Sequence, residues 1–357
     1  MASSSRSRST DDPEIQALDD LYAYAGLVRN MRGKAGGVTV RMRMERAEPE
    51  DLRPPAPESL TAKNGVQWIP LPWSVGKGSA KFDWLMGGFS TRMGGLSTAY
   101  CAEGAPGELN LGFTASDDRK IVEKNRKLFV QAVSGRITTP LITLRQIHSA
   151  LVWKAARKDA RLAEPHKGDA LIINEPGVLI GIQTADCIPV LVADRKRRVV
   201  AAFHAGWRGT VRRIVEAGIG QMRLEYGSKP KDLIAAIGPG IGACCYSVGD
   251  EVLSEFESQF SYARKLFHEV YDSDPIRTKY PMLFLTQRAP GHSPIGPALH
   301  LNLVEANRRQ LLDAGLDEKA IRVVGGCTHC ERELFFSHRG SQGHAGRMMS
   351  VIGIRPE

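Results

Sequence analysis

GVLIGIQTADCIPVLVADRKRRVVAAFHAGWRGT, residues 177–210, sets apolar runs around a short polar loop and a basic turn. GVLIGIQTADCIPVLVAD reads as two strands around a loop, and VVAAFHAG as a third. The segment that follows, TVRRIVEAGIGQMRLEYG, has helical period: Val211, Ile214, Val215 and Met222 share one face, Thr210 is placed to cap its start and Gly227 to end it. Further along, DLIAAIGPGIG reads as a strand running into glycines, VGDEVLSEFES as a helix, and LNLVEANRRQLLDAGL as a helix closed by Gly315. AIRVVGGC and RMMSVIGI complete the strands. Strands and helices mix without strict alternation, which predicts an α+β fold with one or two mixed sheets. The Pro- and Gly-rich stretch from Asp272 to Ala298 reads as a long surface loop.

The rest of the chain bounds the function. With 357 residues, 42% hydrophobic and 24% charged, it can bury a large core without staples. No apolar run reaches the roughly 20 residues of a spanning helix, so no membrane partner is expected. The net charge of +9 favours anionic partners, but the basic residues are scattered and no RNA-binding signature accompanies them, so nucleic acid is not expected. Six cysteines and no secretory signal argue for reduced thiols and a cytoplasmic location. A Ser- and Arg-rich start leaves an organellar address as the alternative, although Asp11, Asp12 and Glu14 break the acid-poor pattern of one. Residues 1–74 differ from the remainder: EIQALDDLYAYAGLV could be one helix, and RAEPEDLRPPAPESL is a Pro- and acid-rich linker not expected to pack. The expected division is a largely flexible extension over 1–74 and a catalytic domain over 75–357.

Cys187, His204 and His148 each stand at a strand–loop junction rather than on a helix face. Singly, each has a plainer reading as a small core thiol or a buried, satisfied histidine. Together they suit zinc: three N/S ligands leave a fourth tetrahedral position open, and the ion lowers the pKa of bound water toward about 7. Arg208 in HAGWRGT, with the N-terminus of the helix that follows, offers an anion site. GPGIG lacks GK[ST] and is no P-loop. CTHC at 327–330 resembles half a zinc knuckle or a redox pair, but no second CxxC exists, and Cys244 and Cys245 read as free thiols. A cysteine hydrolase with Cys187 as nucleophile and His204 as base, a copper-dependent phenol oxidase and a binding module are the alternatives.

FSTRMGGLS, LNLGFTASDDRKIVEKNRKLF, RQIHSALV, GDALI, GIQTADCIPVLVAD, AAFHAGWRGT, IGPGIGACCYSVGDEV, HLNLVEANRRQLL and FFSHR occur in this order from about Gly87 onward. The combination resembles the YfiH-like family, whose members are described as purine nucleoside phosphorylase, as multicopper polyphenol oxidoreductase (laccase-like) and as peptidoglycan editing factor. The resemblance implies a single-domain α+β fold of CNF1/YfiH-like type and a catalytic zinc on His148, Cys187 and His204. It also implies purine nucleosides (adenosine, inosine, guanosine, methylthioadenosine) and phosphate as substrates, with adenosine deamination as a second activity. Copper is the other metal that the family's descriptions bring in, though multicopper oxidases use many more histidines than cluster here. Gln146, Asp186, Ser337 and Arg339 join Arg208 as candidate substrate contacts from their motif positions and polarity. The N-terminal extension and Cys330 fall outside the pattern and inherit no role.

Overall fold

Near-continuous apolar runs need cover on both faces, and the fold supplies it. The computed structural model describes residues 44–74, 79–270 and 297–356. One six-stranded sheet runs in the order Ile321–Val323, Leu233–Ile237, Ile188–Asp194, Val199–Ala205, Ala170–Ile173, Val152–Lys154. The other runs Leu60–Thr61, Gln67–Pro70, Leu85–Ser90, Met348–Ile354, Val178–Thr184, Leu141–Thr143. Both are mixed. Alternate residues of the first sheet, among them Leu191, Ala202 and Ala236, meet Ile180, Ile182, Ile352 and Phe89 of the second in one buried layer. The opposite set, Val190, Val192, Ala201, Phe203 and Ile237, packs with Ile214, Ile219 and Met222 of the helix Ile214–Tyr226 and with Leu303 and Leu311 of the helix Leu303–Asp313. The outer face of the second sheet carries Leu179, Met349 and Val351 against Phe129, Val130 and Val133 of the helix Arg119–Ser134. The result is helix, sheet, sheet, helix, the α+β arrangement expected. A small four-stranded sheet, which includes Phe267–Val270 and Ala298–Leu301, adds Phe267, Leu299 and Leu301 to the core under the first sheet's helices.

The two strands read around TADC are regular but do not pair with each other. Val178–Thr184 belongs to one sheet and Ile188–Asp194 to the other, so Ala185, Asp186 and Cys187 carry the chain between layers. Ile188–Asp194 then pairs antiparallel with Val199–Ala205, setting Ile188 against Ala205 and Pro189 against His204. This register brings Cys187 to the end of the strand that bears His204.

Three expectations change. The helix expected to begin after Thr210 begins at Trp207, runs only to Val211, and restarts at Ile214 after Arg213 takes a left-handed conformation (φ 61°). Thr210 is no cap: it is fully buried, its hydroxyl meets Asn307, and its carbonyl accepts from Gln310 Nε2 at 2.7 Å and from the Arg213 N–H. Those two bonds take the acceptor that a continuous helix needs. Gly227 does end the second piece, at φ 65°.

The proline-rich stretch also packs. Gln67–Pro70 pairs with Leu85–Ser90, Val66, Ile69 and Leu71 are buried, and the Pro55 carbonyl accepts from the Gly326 N–H at 2.8 Å. Residues 44–74 are therefore part of the folded unit, because alternating apolar residues after the prolines complete a sheet. The helix expected in EIQALDDLYAYAGLV and nearly all of the 272–298 loop lie outside the described residues.

Candidate active site

The crossing loop places Cys187 where the two sheets end, and a buried carboxylate gathers the histidines there. Asp169, fully buried just before the strand Ala170–Ile173, accepts from the N–H groups of Ile147, His148 and Ser149, from the Ser149 hydroxyl at 2.6 Å and from His204 Nδ1 at 2.8 Å. This pins the backbone at His148, which adopts φ 56°, a region unfavourable to side chains with a Cβ. It also fixes the tautomer of His204, leaving Nε2 for the site. His148 and His204 stand edge to face with ring centres 5.0 Å apart, and His148 Nε2 lies 3.8 Å from Cys187 Sγ. One donor atom from each of His148, Cys187 and His204 lies within 4.8 Å of the others. A methyl group on Gly206 would come within 2.8 Å of Cys187 Sγ and 3.0 Å of the His148 ring, so the turn must be bare there.

Burial opposes ionisation of the Cys187 thiol, but the His204 charge and hydrogen bonds from both histidines outweigh it and bring it down to about 6. Burial likewise opposes protonation of His204, yet the Cys187 thiolate and Asp169 carry it up to about 9. An unmetallated site is thus a thiolate–imidazolium pair. Loss of the His204 proton would expose two imidazole nitrogens and one thiolate to the same point. That donor set fits one tetrahedral ion with an open position, the orienting carboxylate included.

The three residues line a cavity of about 660 Å³ together with Arg126, Arg145, Arg208, Arg339 and Arg347 and the aromatic rings of Phe113, Trp207 and Tyr246. Of the other candidates, Arg208 lies over the Trp207 ring, 4.4 Å from its centre. The helix beginning there has five residues, too short for its terminus to carry the anion site. Arg339 reaches the wall while bonding Ser247 at 2.9 Å. Gln146 and Asp186 line the cavity but are spent on the protein. Gln146 exchanges two 2.7 Å bonds with the Gln183 backbone, and the Asp186 carboxylate accepts from Thr328 Oγ1 and the Arg339 N–H at 2.6 Å each. Ser337 is buried outside the lining, its hydroxyl accepting from the Gly340 N–H. Sequence reasoning missed Asp169 and Arg126. Arg126 is held by the Leu111 carbonyl and by the Phe113 ring, with Nη2 buried and unpartnered.

Among known proteins, residues 86–355 match the family described as multi-copper polyphenol oxidoreductase laccase. The chain is 32% identical to the purine nucleoside phosphorylase YlmD of Geobacillus stearothermophilus over 78% of this chain and 94% of that one. It is also 32% identical to adenosine deaminase RL5 of an unknown prokaryotic organism, over 67% and 84%. The crystal structure of the Bacillus licheniformis hypothetical protein YfiH superposes with a TM-score of 0.64 at 28% identity, covering 83% of this chain and 97% of that chain. This chain therefore belongs to the multi-copper polyphenol oxidoreductase laccase family, the YfiH-like proteins.

Proposed function

We propose that the chain is a zinc-dependent purine nucleoside phosphorylase that also deaminates adenosine, with His148, Cys187 and His204 holding the metal. The observation that carries this reading is that a three-donor site and five arginines open into one cavity with aromatic walls. The names of the similar proteins support both activities. The volume suits a nucleoside, the aromatic faces suit a purine, and Asp186, the one carboxylate among the described residues of the wall, is already satisfied by two donors, so the cavity stays positive. When bound, zinc supplies Lewis acidity beside the reacting group. In phosphorolysis a phosphate oxygen attacks the ribose C1′ as the C1′–N9 bond breaks; the electron pair leaves with the purine, which takes up a proton. Arg208, steadied by the Trp207 ring, holds that phosphate, and Arg126, stacked on the Phe113 ring, adds positive charge to the same wall.

Copper is the alternative metal, since two histidines and a cysteine also serve electron-transfer copper sites. Such sites are completed by a weak axial ligand from Met, Gln or a carbonyl. Among the described residues no methionine lines this cavity, and Gln146 uses both ends of its amide on Gln183. The thiolate–imidazolium pair would equally suit a cysteine hydrolase; activity surviving complete chelation would favour that reading.

The test is product analysis with adenosine or inosine, with and without phosphate. The phosphorylase reading expects free base and ribose 1-phosphate only when phosphate is present. Deamination converts adenosine to inosine in either case. Arg208→Ala should raise the KM for phosphate by roughly 10- to 100-fold, the loss of one charge-assisted contact, while deamination changes little. Absence of free base under every condition sinks the reading.

A further inference from the structure

Four of the six cysteines meet at a second place. The loop after Leu233–Ile237 carries Cys244 and Cys245, and the turn after Ile321–Val323 carries Cys327 and Cys330. All four Sγ atoms lie within 4.8 Å of one another, with Cys245 and Cys330 at 3.3 Å and Cys244 and Cys330 at 3.6 Å. A disulfide would need about 2.05 Å. A tetrahedron with metal–sulfur bonds of about 2.3 Å has edges of about 3.8 Å, inside the observed range. The CxxC turn that lacked a second CxxC in sequence has its partner in the adjacent pair 85 and 86 residues upstream.

Backbone N–H groups favour a thiolate at Cys327. The Gly242 N–H donates to Cys327 Sγ at 3.2 Å, and the Cys330 N–H is directed at the same sulfur. Cys244 and Cys327 are buried. A Cβ at Gly242 would stand 3.0 Å from both Cys244 Sγ and Pro54 Cδ, so the loop closes tightly between the sulfurs and the proline-rich segment. Gly325 and Gly326, at φ 92° and 86°, turn the chain into the CxxC.

We propose that Cys244, Cys245, Cys327 and Cys330 bind a zinc ion in a closed tetrathiolate site that clamps these two loops. On binding, each thiol releases its proton to solvent and all four sulfurs coordinate, leaving no open position for chemistry. The clamp reaches the first site through Asp186. Thr328, inside the CxxC, donates its hydroxyl to Asp186 Oδ1 at 2.6 Å, and Ile241, three residues before Cys244, donates its N–H to the Asp186 carbonyl at 2.8 Å. Asp186 holds φ 92°, a conformation that needs such support, and it immediately precedes Cys187. The tetrathiolate is a positioning device for Cys187.

Elemental analysis of the full chain, of His148→Ala and of Cys330→Ser tests this independently of any activity. His148→Ala should retain about one zinc per chain, released by a thiol-specific mercurial. Cys330→Ser should lose that ion, melt on the order of 5–10 °C lower, and bind zinc at the His148 site about tenfold more weakly. Should Cys330→Ser fail to fold, cobalt-loaded His148→Ala still decides, by the intense sulfur-to-cobalt charge-transfer bands of an all-sulfur tetrahedral site. A metal-free His148→Ala protein, a Cys245–Cys330 disulfide in the native chain, or iron with labile sulfide in place of zinc overturns the proposal. Retained tetrathiolate zinc without phosphorolysis leaves the clamp standing and removes only the phosphorylase reading.

Discussion

Asp169 accepts from five donors, four of them in the loop 147–149, and the fifth bond fixes the orientation of His204. Burial would raise its pKa, but the bonds from His204 and Ser149 outweigh that and hold it at about 2, against an ordinary 3.8. A depressed carboxylate contributes stability above its unfolded pKa and loses it as pH falls through the folded one. Asp169→Asn keeps the shape but turns an N–H toward a donor. The variant should bind zinc 10- to 100-fold more weakly at neutral pH, measured by competition with a chelating dye. In chelator-treated protein, urea titrations should show the stability gap between wild type and variant narrowing by about 2 kcal/mol as pH falls from about 5 toward 2. An unchanged gap would mean that Asp169 does not fold as an anion. The trio of His148, Cys187 and His204 was legible in the sequence as a group because each member stands beside an apolar run. Asp169 was not, being one of 39 acidic residues whose special position exists only once the loop 147–149 and the strand Val199–Ala205 meet at it.

At the scale of elements, sequence period identified strands and helices well but not their partners. The runs around TADC were read as strands, yet their membership in different sheets depends on pairing with Met348–Ile354 on one side and Leu233–Ile237 on the other. The break at Arg213 was invisible for a similar reason: Gln310, far along the chain, takes the Thr210 carbonyl. The turn between the strand Val199–Ala205 and the helix Trp207–Val211 shows how tightly these elements are fitted. Gly206 has an ordinary φ of −70°, so its lack of a side chain serves space, not backbone freedom. Gly206→Ala should leave the fold intact, with far-ultraviolet circular dichroism and Tm nearly unchanged. The added methyl displaces Cys187 Sγ and the His148 ring, so zinc affinity and turnover should both fall by at least tenfold. Equal zinc affinity in the variant would show that the ligands accommodate the methyl.

For the whole molecule, composition suggested a boundary near residue 74, and packing sets it earlier. Pro, Ser and Glu around 54–59 mark a chain without regular structure, but irregular backbone can still be bound backbone, as the Pro55 carbonyl and Gly326 N–H show. A chain starting at residue 44 keeps every contact described above. A chain starting at 75 loses the strand Gln67–Pro70, uncovers Phe89 beside it, and removes Val66, Ile69 and Leu71, which are 0%, 3% and 0% exposed. At about 1.5–3 kcal/mol for each buried aliphatic side chain, the deletion costs on the order of 5 kcal/mol before the exposed sheet edge is counted. The same deletion strips Pro54 and Pro55 from the loops that carry the four cysteines. The expected outcome is therefore twofold: the chain starting at 75 melts at least 10 °C below the chain starting at 44 or aggregates, and any soluble fraction surrenders its cysteine-bound zinc to a chelator faster. Calorimetry and zinc-release kinetics on the two truncations check both, and coincident melting curves would place the boundary back at 74.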